Sequence, residues 1–182
     1  MHKKDDSDDR IVKLLQNHAT IEQGFKLLVE HYSRRLYWHI RSIVKSHEDA
    51  DDVVQNTFLK IFKGINGFKS EAKLYTWLYR IATNEALTFL RKQKETHPLD
   101  SEHVVQQKSP AYHDEQNTLK RLEQAIALLP EKQRLVFHLR YFDEMTYQDI
   151  AQITGTSTGA LKASYHHAIK KLENYLKINN IL

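Results

Sequence analysis

The chain has 182 residues, enough for one or two small domains with their own hydrophobic cores. Hydrophobic residues make up 41% and charged residues 27%, which is typical of a globular protein and excludes a disordered or fibrous chain. Cysteine is absent, so disulfides, a catalytic thiol and cysteine-based zinc sites are excluded. Since no apolar run has the length of a membrane span and the N-terminus lacks the apolar stretch of a signal peptide, we expect a cytoplasmic protein without membrane insertion.

The N-terminal half reads as four helices in succession. With only three prolines and five glycines in the chain, long uninterrupted helices are expected. Helical periodicity predicts a first helix over residues 8–17. Capping boxes predict a second helix over 20–45, opened by Thr20, and a third over 46–65, opened by Ser46. After a short loop, the periodicity resumes and predicts a fourth helix over 71–94.

The C-terminal part repeats this helical pattern after an interruption. Residues 96–113 contain two prolines and polar residues without a sustained period, which is typical of a flexible linker. The next helices are predicted over 114–129, from Pro130 onwards, behind the cap residue Thr146, and over 157–177. Alternating strand patterns do not occur in the sequence.

These elements predict an all-α fold of two helical domains joined by a flexible linker. The N-terminal domain is expected over residues 1–95, the linker over 96–113 and the C-terminal domain over 114–182. All of the formal charge of +4 lies in the first 95 residues, and the last helix is also basic. Local basic faces on a nearly balanced protein indicate a nucleic-acid reader that does not hold DNA by bulk charge alone.

A helix-turn-helix is predicted over residues 146–162, where a short capped helix, a turn at Gly155 and a second helix follow at the required spacing. The outward face of the last helix, which could enter a DNA major groove, consists of Lys162, Ala163, His166, His167 and Lys170. A plain helical hairpin explains the apolar inward face equally well. Residues 155–159 also match the G-x-S-x-G motif of serine hydrolases, but no strand precedes Ser157. We therefore interpret Ser157 as a helix cap and expect no enzymatic activity.

The third predicted helix has an unusual outer face, on which Leu59 and Phe62 lie beside the polar residues Asp52 and Gln55. Exposed apolar side chains rimmed by charge indicate a protein docking patch, and a second buried contact with the N-terminal helix is the alternative. The acidic residues near the start of this helix suit the positive end of the helix dipole, so they do not by themselves indicate a metal site. Although the chain has eleven histidines, no local pair has the spacing of a metal motif, and we expect neither a metal nor a cofactor.

The fourth predicted helix carries a mixed stripe apart from its core face: Thr76, Trp77, Arg80, Asn84, Thr88 and Arg91. An aromatic ring, amides and guanidinium groups on one stripe suit stacking on unpaired bases while phosphates are held. In the preceding loop, Phe68, Lys69 and Ser70 could receive an extruded base. Burial of Trp77 in the core is the alternative interpretation of its position.

Taken in this order, the segments 49–62, 75–87, 129–137 and 146–162 resemble the extracytoplasmic-function (ECF) group of bacterial RNA polymerase sigma factors. The resemblance covers nearly the whole chain and implies a protein with sigma domains 2 and 4 that directs the polymerase core to promoters and promotes DNA melting. It also implies an anti-sigma factor as a partner. A stand-alone helix-turn-helix transcriptional regulator is the alternative function.

The resemblance also implies roles for particular residues. The positions that meet the clamp helices of the large polymerase subunit are Asp52 and Gln55, with Leu59 and Phe62 in the same patch. The positions that contact the −10 element are Phe68, Lys69, Ser70, Trp77, Arg80, Asn84 and Arg91. The positions that read the −35 element are Lys162, Ala163, His166, His167 and Lys170.

Overall fold

The computed structural model describes residues 6–68, 72–96 and 115–178, with side chains described for 7–68, 72–96 and 121–178. Within these ranges helices are the only regular secondary structure, and no strand occurs. The elements are α1 (Asp6–Leu15), α2 (Ile21–Val44), α3 (His47–Gly64), a 3₁₀ turn (Ile65–Gly67), α4 (Leu74–Thr96), α5 (Glu115–Ala127), α6 (Glu131–Tyr141), α7 (Tyr147–Thr154) and α8 (Thr158–Ile178). The predicted all-α fold class is confirmed.

Helix α2 organises the first helical unit, which comprises α1 to α4. An apolar stripe repeats at every fourth residue of α2 through Leu28, Tyr32, Leu36 and Ile40, and all four side chains are buried. The same helix packs tightly on α1 at Gly24, where an added Cβ atom would lie 2.9 Å from the Cβ of Leu14. Glycine is therefore required at this position by the close approach of the two backbones.

The predicted helix caps have mixed outcomes. The hydroxyls of Ser46 and Thr146 accept hydrogen bonds from the backbone N–H of Asp49 (3.3 Å) and Asp149 (3.1 Å), as predicted. The capping box at Thr20 is wrong, because its hydroxyl makes no cap bond and donates instead to the carbonyl of Leu14 at 2.9 Å. In this case a contact with the preceding helix replaces the local cap.

The fourth helix differs most from its predicted bounds, because α4 begins at Leu74 and continues to Thr96. Thr96 was predicted to be the first linker residue but ends this helix, and its hydroxyl donates to the carbonyl of Lys92 at 2.9 Å. The remainder of the predicted linker, 97–113, lies outside the described residues.

The second helical unit, α5 to α8, packs against the first unit. One hydrophobic cluster contains the α2 stripe together with buried residues of the second unit, which are Val136, Leu139, Met145, Ile150, Ile153 and Leu161. A smaller cluster inside the second unit is built on Phe137, Ala168 and Leu172. Since apolar groups of both units share one core, hydrophobic burial holds the two units together.

Polar contacts cross the boundary between the units at several points. The guanidinium Nε of Arg134 in α6 donates to the carbonyl of Ser42 in α2 at 3.2 Å, and its Nη1 lies 3.4 Å from two carbonyls of its own unit. Lys73 pairs with Asp149 across a Nζ–Oδ1 distance of 3.5 Å. Burial raises the pKa of Asp149, but hydrogen bonds from Thr146 and Tyr75 and the charge of Lys73 outweigh burial, so the net pKa is lowered.

We predict that Arg134→Met lowers the free energy of unfolding by about 2–3 kcal/mol, because methionine keeps a similar aliphatic stem but removes a charged donor from buried carbonyls. Urea denaturation followed by circular dichroism measures this change. Lys132→Ala, at an exposed position of the same helix, is the control and should change stability by less than about 0.5 kcal/mol. Equal effects of the two substitutions would contradict a stabilising role for Arg134.

Candidate nucleic-acid and protein interfaces

The outer face of α3 presents the patch predicted from the sequence. Asp52 and Gln55 are exposed, and the side chains of Leu59 and Phe62 are 58% and 48% exposed. The opposite face of α3 is fixed in the core by Val53, Thr57 and Ile61. The patch therefore lies on a rigid helix and offers a carboxylate and an amide beside apolar surface.

Within the described residues, the structure does not show the alternative, a buried contact of this patch with the N-terminal helix, because the partial contact of Phe62 is with α2. The ring of Phe62 meets the ring of Phe25 in α2 edge to face, with 4.9 Å between the centroids. This contact fixes one edge of Phe62, while about half of the residue stays open to solvent. A partly braced aromatic ring on a charged surface suits a protein contact, because little side-chain entropy is lost on binding.

Of the six stripe residues on α4, three are exposed, Trp77 and Thr88 are half-buried, and one is buried. Arg80, Asn84 and Arg91 are exposed, but Thr76 is buried at 2% exposure, so its predicted place in the outward stripe is wrong. The burial follows from helix geometry, since Thr76 lies on the same side as Tyr79 and Thr83, three and seven residues further along, which are also buried.

Trp77 combines the two roles that the sequence left open. It is half-buried and packs against the hydrophobic core, and its ring lies 5.2 Å from the ring of Phe68 between centroids. The core contact holds the indole in place, and its remaining surface lies beside the exposed positions of the stripe. Lys69 and Ser70, predicted for the adjoining loop, lie outside the described residues.

The helix-turn-helix has the local geometry that its sequence predicts. Gly155 adopts a left-handed conformation (φ +68°) at the end of α7, and its N–H bonds to the carbonyl of Ala151. The hydroxyl of Ser157 accepts a hydrogen bond from the N–H of Ala160 at 3.4 Å, so Ser157 caps α8 as predicted. Because a helix precedes this serine, the motif lacks the strand that a hydrolase nucleophile elbow requires.

Helix α8 separates core and solvent faces as expected. Leu161, Ala168 and Leu172 are buried, whereas the whole predicted outward set is exposed: Lys162, Ala163, His166, His167 and Lys170. The ammonium of Lys162 lies 6.0 Å from the ring centroid of Tyr147, which lies on α7. The face therefore presents cations and imidazoles from a helix whose other side is fixed.

Three exposed aromatic residues were missed by the sequence analysis, which are Trp38 on α2 and the adjacent pair Tyr141 and Phe142. Tyr141 and Phe142, at the end of α6, are 57% and 51% exposed and lie 5.2 Å apart between ring centroids. Two consecutive aromatic residues followed by two acidic ones were the available signal, since adjacent helix positions cannot both face one core.

Among the described residues, no helix combines the length and the apolar character that a membrane span needs.

Comparisons with known proteins cover both helical units. The family model of sigma-70 region 2 matches residues 28–96, and that of sigma-70 region 4 matches residues 119–172. The ECF RNA polymerase sigma-E factor of Haemophilus influenzae is 30% identical over 169 residues, which cover 86% of this chain and 89% of that protein. The ECF RNA polymerase sigma factor SigW of Bacillus subtilis is 27% identical and covers 86% of this chain and 90% of its own.

Solved structures give the same assignment of the fold. The sigma factor RpoE of Bartonella quintana, crystallised with the anti-sigma factor NepR, superposes with a TM-score of 0.70 at 28% identity. That match covers 85% of this chain and 97% of the solved one. CnrH, solved with the cytosolic domain of CnrY, has the same fold with a TM-score of 0.71 at 22% identity over 94% of this chain and 98% of its own.

Proposed function

The chain belongs to the ECF group of RNA polymerase sigma factors, and we propose that its three exposed faces bind polymerase core, the −10 element and the −35 element. As a member of this family it is a transcription initiation factor that directs RNA polymerase to promoters. A stand-alone DNA-binding regulator is not favoured, because the family match includes the first helical unit as well as the helix-turn-helix. Its place of action is then the bacterial cytoplasm, where the polymerase works.

The outward face of α8 is the observation that carries this proposal. Its five predicted residues are all exposed on a helix that follows a correctly formed turn, as a recognition helix in a major groove requires. Lys162 and Lys170 would contact phosphates or guanine edges, and His166 would contact a base edge. This face is proposed to read the −35 element.

The stripe on α4 would bind the downstream element after its bases unstack. Trp77, held by Phe68 and the core, offers a ring on which a base can stack. Arg80 and Arg91 would hold phosphates, and the amide of Asn84 would bond a base edge. No covalent step is involved, because binding energy to unpaired bases offsets the cost of opening the duplex.

The patch on α3 would bind the clamp helices of the large polymerase subunit. Asp52 and Gln55 supply polar contacts at its rim, and Leu59 and Phe62 supply apolar area. This arrangement of an apolar centre and a charged rim is common in protein interfaces.

Promoter binding would require the two helical units to separate. The −10 and −35 elements lie about 25 base pairs apart, which is roughly 85 Å of duplex at 3.4 Å per base pair. In the structure the units share one hydrophobic core. The residues from 97 to 114 could span up to about 60 Å when extended. This reach, added to the width of the two units, is enough for the units to contact both elements at once.

An anti-sigma factor is the proposed regulatory partner. The sigma factor RpoE of Bartonella quintana was crystallised with such a partner, and its arrangement superposes on this chain. Exposed rings of Trp38, Tyr141 and Phe142 provide apolar surface that a partner could cover.

Run-off transcription with core polymerase, with and without this protein, tests the proposed function as a whole.

For the α3 patch, we predict that Asp52→Ala combined with Gln55→Ala abolishes co-purification with polymerase core while the fold is kept, because both positions are exposed. The matched control is Glu22→Ala with Gln23→Ala, which removes similar groups from exposed positions of α2. Retention of the first double variant on core at the wild-type level would refute this assignment.

For the α4 stripe, we predict that Asn84→Ala slows open-complex formation by a factor of about 5 to 150, which corresponds to about 1–3 kcal/mol for one lost base contact. A template with a premelted bubble should recover part of this loss. Gln93→Ala, exposed near the end of the same helix, serves as the control. If the bubble template restores nothing, Asn84 acts outside the melting step.

For the α8 face, we predict that Lys162→Ala and His166→Ala reduce transcription from promoters that require a −35 element, and that Lys177→Ala does not. Each variant should still bind core and still transcribe a template with an open −10 region. Matched promoters with intact and scrambled −35 sequences separate the two contributions. Equal losses on both promoters would mean that upstream recognition lies elsewhere.

A further inference from the structure

Three side chains that can bind a metal ion meet where the two helical units touch. His39 comes from α2, His138 from α6, and Asp143 from the turn after α6. One ligand atom from each lies within 4.8 Å of the other two. The backbone N–H of Asp143 bonds to the carbonyl of His138 at 3.2 Å, which keeps these two side chains together.

The distances between the ligand atoms are close to those of a tetrahedral metal site. Oδ2 of Asp143 lies 3.3 Å from Nδ1 of His138 and 3.9 Å from Nδ1 of His39. Metal–ligand bonds of about 2.0–2.1 Å place neighbouring tetrahedral ligands about 3.3 Å apart. The 3.3 Å pair is a hydrogen bond in this structure, and its spacing would be kept if an ion replaced the shared proton. The 3.9 Å pair would have to close by about 0.6 Å, and the two histidine nitrogens from a separation of at most 4.8 Å.

The imidazole of His39 has an unused ring nitrogen. Its side chain is fully buried, and Nδ1 has no hydrogen-bond partner within the described ranges. The other nitrogen, Nε2, lies 2.8 Å from the hydroxyl of Thr83, and a ring that donates from Nε2 keeps a lone pair on Nδ1.

The carboxylate of Asp143 is also held by a neighbour from the other unit. The hydroxyl of Tyr79 in α4 donates to Oδ1 at 2.9 Å, and Oδ2 is the oxygen that lies within 3.9 Å of both histidines. Metal ligands are commonly oriented by such outer hydrogen bonds.

We propose that His39, His138 and Asp143 form a binding site for a divalent transition-metal ion of the zinc class, which joins the two helical units. Two imidazole nitrogens and one carboxylate oxygen favour zinc over calcium or magnesium, which prefer oxygen ligands. The side chains of His138 and Asp143 are 14% exposed, so an ion can enter and a water molecule can fill the fourth position.

Zinc would then stabilise the closed arrangement of the units. The ion would be bound by a ligand of the first unit and two ligands of the second, and this set exists only while the units touch. Binding to the closed state alone shifts the equilibrium towards closure as the zinc concentration rises above the dissociation constant. The site itself does not depend on the proposed transcriptional function.

Zinc titration of the full chain by calorimetry tests the site. We expect one ion per chain, and we expect Asp143→Asn and His138→Gln each to raise the dissociation constant at least tenfold. Thr83→Val leaves the three ligands in place but removes the hydroxyl that contacts Nε2 of His39. This substitution should raise the dissociation constant for zinc by about 10 to 100 times. Circular dichroism verifies that each variant is folded.

His18→Gln is the matched control, because it removes an exposed imidazole far along the chain from the cluster and should leave the affinity unchanged. Absence of zinc binding, or equal affinity in wild type and both ligand variants, would overturn the proposal. Since His138 and Asp143 are partly exposed, their substitution tests the site without the fully buried His39 being altered.

Energy transfer between two dyes tests whether the ion joins the units. Because the chain has no cysteine, Gln23→Cys and Glu173→Cys allow labelling at exposed positions of the two units. At a urea concentration that halves the transfer, zinc should restore it in this protein and not in the same protein with Asp143→Asn. Zinc binding without restored transfer would overturn the bridging role.

Discussion

The apolar stripe of α2 is the constraint on which the rest of the structure depends. Its side chains recur at every fourth residue from Leu28 to Ile40 and are almost completely buried. Because α2 contacts α1, α3, α4 and α6, and its stripe belongs to the hydrophobic cluster that both units share, α2 supports the helices that carry two of the proposed binding faces and also contacts the second unit. A cavity in the stripe would loosen all of these helices together.

Each proposed binding face lies on the solvent side of a helix whose other side is in a core. Leu78 and Ala82 are buried on α4 while Arg80 and Asn84 are exposed, and α8 divides its residues in the same way. The binding groups are therefore positioned before a partner arrives, which limits the ordering entropy that binding must overcome. Trp77 shows that such positioning reduces the surface left for binding, because the part of its ring that packs against the core cannot contact a base.

Local sequence signals were sufficient for most of the fold and for the outward faces of α3 and α8, but not for Thr76 on α4. Helical periodicity located the helices, and the caps at Ser46 and Thr146 formed because their partners lie three residues away. The cap at Thr20 failed because a carbonyl of α1 competes for its hydroxyl. The contact between Arg134 and Ser42 joins residues 92 positions apart, and the histidine and aspartate cluster likewise unites distant segments. No short motif encodes such juxtapositions, so they became visible only in three dimensions.

The apolar residues that the two units share give their contact a particular response to temperature. When the units part, side chains such as Leu139, Met145 and Ile150 pass from a buried environment into water. Exposure of apolar area carries a positive heat-capacity change, and hydrophobic association weakens as water is cooled. The proposed separation of the units should therefore depend on temperature, because its enthalpy varies with temperature and cooling weakens the apolar contribution that holds the units together.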